Sequence, residues 1–175
     1  MKTTDLHSIL MSRDKPAMVT FLKAHPENFD VAMKLALSQE QPISWRATWM
    51  IGGSVKKYDS QIQPYIQNIL DILPDLEDGH QREFLKVLNQ LELVEEHEGQ
   101  LLDFSISVWE QLKKQPSVRH TAFRIMVKAA KKYPELANEV LLLTQPQYIN
   151  TLSPGVKKGV FKMLEELRKY KGENN

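Results

Sequence analysis

The sequence predicts an all-α fold in which about five antiparallel helix pairs stack as an α-α superhelix, or α-solenoid. Apolar residues recur at spacings of three and four along the chain, whereas the strict alternation of a strand is missing. Glu, Lys, Leu, Gln and Ala, which favour helices, dominate the composition. Related short strings also recur at a nearly constant period, which is typical of stacked helical units.

Ten helices are predicted from these apolar stripes and from their start signals. Asp14, followed by Lys15 and Pro16, is typical of an N-cap with proline in the first turn. Pro26 and Pro134 indicate helix starts in the same way. The predicted helices span residues 4–13, 15–25, 27–39, 44–57, 60–73, 79–91, 97–115, 117–132, 134–144 and 153–171.

Basic residues near the starts of every second helix define the internal repeats. They lie 36, 37 and 38 positions apart, at Arg46, Arg82, Arg119 and Lys157. Aligning on them brings helix positions spaced by four, three and one into columns, which together form one buried stripe of an α-helix. The columns are Trp45, Gln81, Val118 and Val156; Trp49, Leu85, Ala122 and Val160; Gly52, Leu88, Ile125 and Met163; and Gly53, Asn89, Met126 and Leu164.

This period predicts a single α-solenoid domain over residues 1–175, because each helix pair buries its face against the next. Residues 1–26 are predicted to form an N-terminal capping pair. The repeat-like helix pairs are predicted at residues 27–58, 59–93, 94–133 and 134–171, and residues 172–175 as a frayed tail.

Three strings resemble the HEAT repeat family. Residues 118–122, Val-Arg-His-Thr-Ala, resemble the Val-Arg-x-x-Ala start of the second HEAT helix, and residues 45–49 are similar to it with bulkier apolar residues. Residues 63–70, with an early proline, resemble the first HEAT helix. The resemblance implies a HEAT-like, armadillo-type α-solenoid whose second helices line the concave surface. It also implies that Arg46, Arg82 and Arg119 are structural, each paired with an acidic residue of a neighbouring repeat.

Composition excludes several classes of protein. The chain has no Cys, which rules out disulfide frameworks, zinc ribbons and a cysteine nucleophile. No apolar run reaches the ~18 residues of a membrane span, and residues 1–7 lack the regions of a signal peptide. We therefore expect a cytoplasmic protein without a membrane partner.

No pattern in the chain indicates catalysis, a cofactor or a metal. The sequence contains neither a Gly-x-Ser-x-Gly elbow nor a His-Glu-x-x-His string, and its five histidines are far apart. The acidic string at residues 95–98 is predicted to be a solvated turn between helices, because dedicated cation sites space their ligands. The sequence therefore predicts a non-enzymatic protein, with no catalytic residue, metal ligand or cofactor.

Two local features have both a structural and a functional interpretation. Trp45 and Trp49 share one helix face and could form an aromatic platform for a base or ligand, although filling the core fits their apolar columns better. Gly52 and Gly53 fall inside a predicted helix without a phosphate-loop pattern around them. A close helix crossing or a bend is the expected reason for this glycine pair.

Charge is distributed very unevenly, although the net charge is only +1. Residues 58–112 contain 12 acidic and 2 basic residues, whereas residues 113–171 contain 13 basic and 4 acidic ones. Helix 117–132 has no acidic residue, and Arg124, Lys128 and Lys131 share one of its faces. The candidate residues for binding a partner or phosphate are Arg119, Arg124, Lys128, Lys131, Lys157, Lys158 and Lys162.

The basic stripe is compatible with two classes of function. The first is a protein-interaction or scaffold module that binds an unknown protein or an acidic peptide through the basic C-terminal half of its groove. The alternative is nucleic-acid binding, as in the HEAT-like DNA alkylation repair proteins, although the acidic block would repel phosphate. The charges could also be simply solvated, or pair head to tail between chains of a self-associating protein.

Overall fold

The structure is a computed structural model that describes residues 3–12 and 14–173. Within these residues the chain forms α-helices and short 3-10 turns, and no strand occurs. The all-α prediction is therefore confirmed. The chain divides into two compact units, residues 1–93 and 94–175, and the division falls where one predicted helix pair gives way to the next.

Within the residues that the structure describes, the first unit contains six helices and the second contains five. Those of the first unit are α1 (Thr3–Met11), α2 (Lys15–Ala24), α3 (Phe29–Leu37), α4 (Ile43–Ser54), α5 (Ile66–Ile72) and α6 (Asp78–Gln90). Those of the second unit are α7 (Glu95–Glu110), α8 (Pro116–Lys132), α9 (Ala137–Leu142), α10 (Pro146–Ile149) and α11 (Pro154–Glu173).

Prolines explain most differences between predicted and observed helix starts. Residues 26–28, 63–65 and 134–136 are 3-10 turns that lead into α3, α5 and α9. Each contains a proline, whose missing N–H and fixed φ suit the first turn of a helix. Pro146 starts the short helix α10, which the sequence analysis did not predict. The predicted N-cap is confirmed, since Asp14 accepts a hydrogen bond from the backbone N–H of Ala17 at 3.0 Å.

The prediction of a solvated turn at residues 95–98 is wrong. These residues form the first turn of α7. Three glutamates in a first turn are favourable, because the positive end of the helix macrodipole lies there.

In the first unit, α4 is the central helix and packs against α1, α2, α3 and α6. The expected close crossing at its glycine pair is present. A methyl group at Gly53 would collide with the side chain of Val19 on α2, and one at Gly52 would lie 3.2 Å from Val87 on α6. The absence of both side chains therefore lets two neighbouring helices approach the α4 backbone.

In the second unit, α8 is the central helix and packs against α7, α9 and α11. Its core includes Trp109 of α7 and Phe123 of α8, whose rings lie 4.6 Å apart, together with Val160, Leu164 and Leu167 of α11. Burying a large apolar side chain stabilises a fold by about 1.5–3 kcal/mol relative to leaving it exposed. This core holds α8 and α11 side by side, and their outer faces carry most of the candidate basic residues.

The last helix continues to Glu173, inside the segment that was predicted to be a frayed tail. Residues 174 and 175 of that segment lie outside the described residues, as does residue 13 at the end of the first predicted helix.

Candidate partner-binding surface

Arg119 is buried and does not belong to an exposed basic surface. Its side chain is 0% exposed and lies at the start of α8. Nε donates to the carbonyl of Trp109 at 2.9 Å, Nη2 to the carbonyl of Tyr148 at 2.8 Å, and Nη1 to Oγ1 of Thr151 at 2.7 Å. Burial lowers the pKa of the guanidinium, although an arginine remains charged in proteins. The prediction that Arg119 binds a partner or phosphate is therefore wrong.

Arg46 occupies the equivalent place in the first unit. It is 7% exposed, and Nη1 donates to the carbonyl of Leu10 at 3.2 Å. Leu10 and Trp109 both lie in the last turn of a helix, where carbonyl groups lack helical partners. Arg46 and Arg119 thus have a structural role, but the partners observed at these helix ends are carbonyl groups and not the acidic residues that the resemblance implied.

Arg82 behaves differently from these two arginines. It is half-buried, and its Nε donates to Oε1 of its neighbour Glu83 at 3.0 Å. Lys86 donates to the same carboxylate oxygen at 2.9 Å. Although burial raises the pKa of the Glu83 carboxyl, these two cations outweigh it and hold that pKa below its usual value. A carboxylate partner, as the HEAT resemblance implied, is therefore found for Arg82, but in the same helix.

We define the basic face of α8 by Arg124, Lys128 and Lys131. Arg124 and Lys128 are exposed, and Lys131 is half-buried, with its Nζ 3.3 Å from Oε2 of Glu166 on α11. Within the described residues Arg124 forms no ion pair. Burial lowers the pKa of His120, which lies one turn earlier, and the positive charge of Arg124 lowers it further. This face therefore carries a cation without a bound carboxylate.

The acidic and basic blocks meet inside one pair of packed helices. Helix α7 has five acidic residues and no Lys or Arg, whereas α8 has no acidic residue. Lys132 and the hydroxyl of Tyr133 both donate to Glu98 of α7, at 2.7 and 2.8 Å. The hydrogen bond to Glu98 raises the pKa of Lys132. In the second unit, charge is thus segregated between adjacent helices.

Helix α11 presents a second basic surface. Gly159 lies against α8, since a Cβ there would be 2.6 Å from Nε2 of His120. A different side of α11 lines an open groove of about 630 Å³. We define this side as the Phe161 face, which comprises Lys157, Lys158, Phe161 and Lys162. No member of this lysine trio pairs with a carboxylate in the part of the chain that the structure describes.

Phe161 is the one prominent residue of these surfaces that was not among the sequence candidates. It is 51% exposed, although its alignment partner Phe123 is fully buried. The sequence contains no signal for this difference, because Phe123 follows the buried Ala122 just as Phe161 follows the buried Val160.

The family model for HEAT repeat domains matches residues 3–167. The chain belongs to the HEAT repeat family. The resemblance and the HEAT-like fold class inferred from the sequence are thereby confirmed, and HEAT repeats generally mediate protein interactions as non-enzymatic scaffolds. No curated protein and no solved structure matches the chain.

The tryptophan pair of this HEAT repeat domain is half-buried. The rings of Trp45 and Trp49 lie 4.5 Å apart at 43°, and Nζ of Lys15 on α2 lies 5.2 Å from the Trp49 ring. A cation over an indole face is favourable. The structure therefore places the pair at the edge of the first unit's core, in contact with a lysine.

A buried polar cluster around His80 joins α4 and α6. His80 is 2% exposed, with Nε2 2.9 Å from Oγ1 of Thr48 and Nδ1 3.1 Å from Nε2 of Gln41. Thr48 also donates to the carbonyl of Ser44 at 3.0 Å. Burial lowers the pKa of His80 to about 4, so the ring is neutral at pH 7.

The described residues contain no cluster of three His, Asp or Glu side chains that could hold a metal ion. None of the described helices is long and apolar enough to cross a bilayer.

Proposed function

We propose that this HEAT repeat domain is a non-enzymatic interaction module that binds an acidic segment of a partner protein. The binding surface comprises the basic face of α8 together with Lys157, Lys158 and Lys162 of α11. The observation that carries the proposal is the unpaired charge of Arg124, Lys158 and Lys162, all exposed. Charged groups without internal partners attract a surface of opposite charge and steer its approach.

Pairing elsewhere in the same unit supports this interpretation. Lys131 and Lys132 each have a glutamate partner, Glu166 and Glu98. Nearby carboxylates therefore neutralise these lysines, whereas Arg124, Lys158 and Lys162 have no carboxylate partner within the described residues. Helix α8 has no acidic residue and α7 supplies those beside it, so a partner meets a mainly positive surface, although Glu165 also lines the α11 groove.

The test is a binding titration with a fluorescent peptide of about 18 residues made of Glu and Ser. We expect salt-dependent binding that weakens about tenfold or more when Arg124→Glu and Lys128→Glu are combined. The matched control is Lys23→Glu with Lys34→Glu, which makes the same charge change at exposed positions of the first unit. We expect this control to change the affinity less than about twofold.

Two results would contradict the proposal. In one, the control pair weakens binding as much as the α8 pair, which would indicate an effect of net charge alone. In the other, duplex DNA binds more tightly than the peptide and loses its affinity in the α8 variant. That result would favour the nucleic-acid alternative, whose binding falls steeply with salt.

A further inference from the structure

We infer that the Phe161 face of α11 docks an acidic amphipathic helix of the partner, with an apolar side chain of that helix packed on Phe161. The inference deepens the proposed function, because it rests on the partner segment being acidic and adds that the segment is helical and has an apolar anchor.

The internal repeat shows what the equivalent surface of α8 does. A shift of 38 residues relates Phe123 of α8 to Phe161 of α11. Phe123 is fully buried against Trp109 and belongs to the core that includes residues of α11. The same helix position is thus covered in one repeat and half-exposed in the next.

Neighbouring outer positions of α11 differ in chemistry from those of α8. Val127 and Ala130 are buried in α8, whereas their equivalents in α11 are Glu165 and Arg168, both exposed. Charged side chains at these positions suit contact with solvent. Phe161 is the exception, since it keeps a large apolar side chain where a polar one would suit solvent.

The positive charges around Phe161 favour a partner segment with acidic side chains. Lys157 and Lys158 lie one turn before Phe161, and Lys162 follows it. All three are in the N-terminal half of α11, where the helix macrodipole also favours an anion near the first turn. An acidic segment with an apolar anchor matches this arrangement.

The shape of the face favours a helical segment. Its residues 154, 158, 161, 162 and 165 lie at helical spacings of i, i+4, i+7, i+8 and i+11, and they line one open groove. Such rows of side chains pack against the side chains of a second helix at spacings of three and four.

The experiment compares two peptides of equal charge and length. The first is the Glu and Ser peptide described above. The second is identical except that Leu replaces Ser at positions i, i+3, i+4 and i+7 of a helix. Affinities for both are measured by fluorescence anisotropy with the full chain and with Phe161→Ala.

We expect the Leu peptide to bind about tenfold more tightly than the Ser peptide. Phe161→Ala should bring the ratio of the two affinities to about one, while the affinity for the Ser peptide changes less than about twofold. The matched control is Leu142→Ala, which truncates another exposed apolar residue of the same unit, 65% exposed on α9. This control should leave the ratio unchanged, and circular dichroism checks that both variants are folded.

Two outcomes separate this inference from the proposed function, and a third overturns the inference. Equal affinities of the two peptides, both weakened by Arg124→Glu with Lys128→Glu, would overturn the inference alone. A ratio that depends on Phe161, with neither affinity affected by that pair, would overturn the proposed use of the α8 face alone. If the protein alone self-associates and Phe161→Ala dissociates it, a second copy covers the face and the inference is wrong.

Discussion

At the scale of single residues, Arg119 shows why a charge can be part of a helical core. Its planar guanidinium donates to three oxygens, one at the end of α7, one in α10 and one just after α10, and lies 4.7 Å from the centre of the Trp109 ring. A lysine could not reproduce this set, because its ammonium is compact and lacks a planar fork. Arg119 therefore fixes the end of α7 relative to the chain that follows α9.

We expect Arg119→Ala to lower the free energy of unfolding by about 3 kcal/mol or more. The substitution removes the guanidinium donor from the carbonyl groups of Trp109 and Tyr148 and creates a cavity beside Trp109. The exposed Arg124→Ala is the control and should change stability by less than about 0.5 kcal/mol. Urea unfolding followed by circular dichroism measures both, and equal stabilities would contradict the structural role of Arg119.

His80 should make stability depend on pH. Its pKa is about 4 in the folded chain and 6.5 as the reference value, so the unfolded chain binds the proton more tightly. The contribution of neutral His80 to the free energy of unfolding is therefore intact above pH 6.5 and is lost as the pH falls toward 4. The expected loss from this group is about 2 kcal/mol between pH 7 and pH 5.

The measurement is the urea midpoint at several pH values in the wild type and in His80→Gln. Glutamine keeps hydrogen-bonding groups but does not titrate, so the variant should show a shallower loss of stability on acidification. Part of the pH dependence of stability should remain in this variant, because burial also lowers the pKa of His120. Identical slopes in the two proteins would exclude His80 as a source of the pH dependence.

At the scale of helices, the crossing of α2 and α4 depends on the missing side chain of Gly53. We expect Gly53→Ala to destabilise the chain by about 1–3 kcal/mol, because Val19 is β-branched and stiff and has little room to move. Gly99→Ala in α7 is the matched control, since a Cβ there meets nothing within 4 Å.

The two alanine variants should change thermal stability in opposite directions. Gly99→Ala should stabilise the chain by up to about 1 kcal/mol, because alanine favours the helix and nothing opposes it. A Gly53→Ala variant as stable as the wild type would show that the crossing tolerates a methyl group.

The sequence predicted most helices because their apolar stripes are long. It did not predict α10, since four residues are too few to show a helical period. It also placed the start of α7 at residue 97 instead of Glu95, because consecutive glutamates resemble a solvated turn as much as a helix start.

At the scale of the whole molecule, repeat spacing was the most informative feature of the sequence. The recurrence of basic residues and apolar columns predicted the HEAT-like class that the family match confirms. Burial of individual residues was not predictable, because it depends on contacts between helices. Arg119 and Arg124 have the same charge and lie in the same helix, yet only Arg124 is exposed. Arg119 is held in the core by carbonyl groups of Trp109 and Tyr148, which lie in other helices, and the sequence does not show these contacts.

The three tryptophans of the chain are divided between its two units. Trp45 and Trp49 are half-buried in residues 1–93, whereas Trp109 is fully buried in residues 94–175 beneath a guanidinium group. The first two indoles should therefore emit at longer wavelengths than the third. Each unit carries an intrinsic optical reporter, so their unfolding can be followed separately in one unlabelled sample.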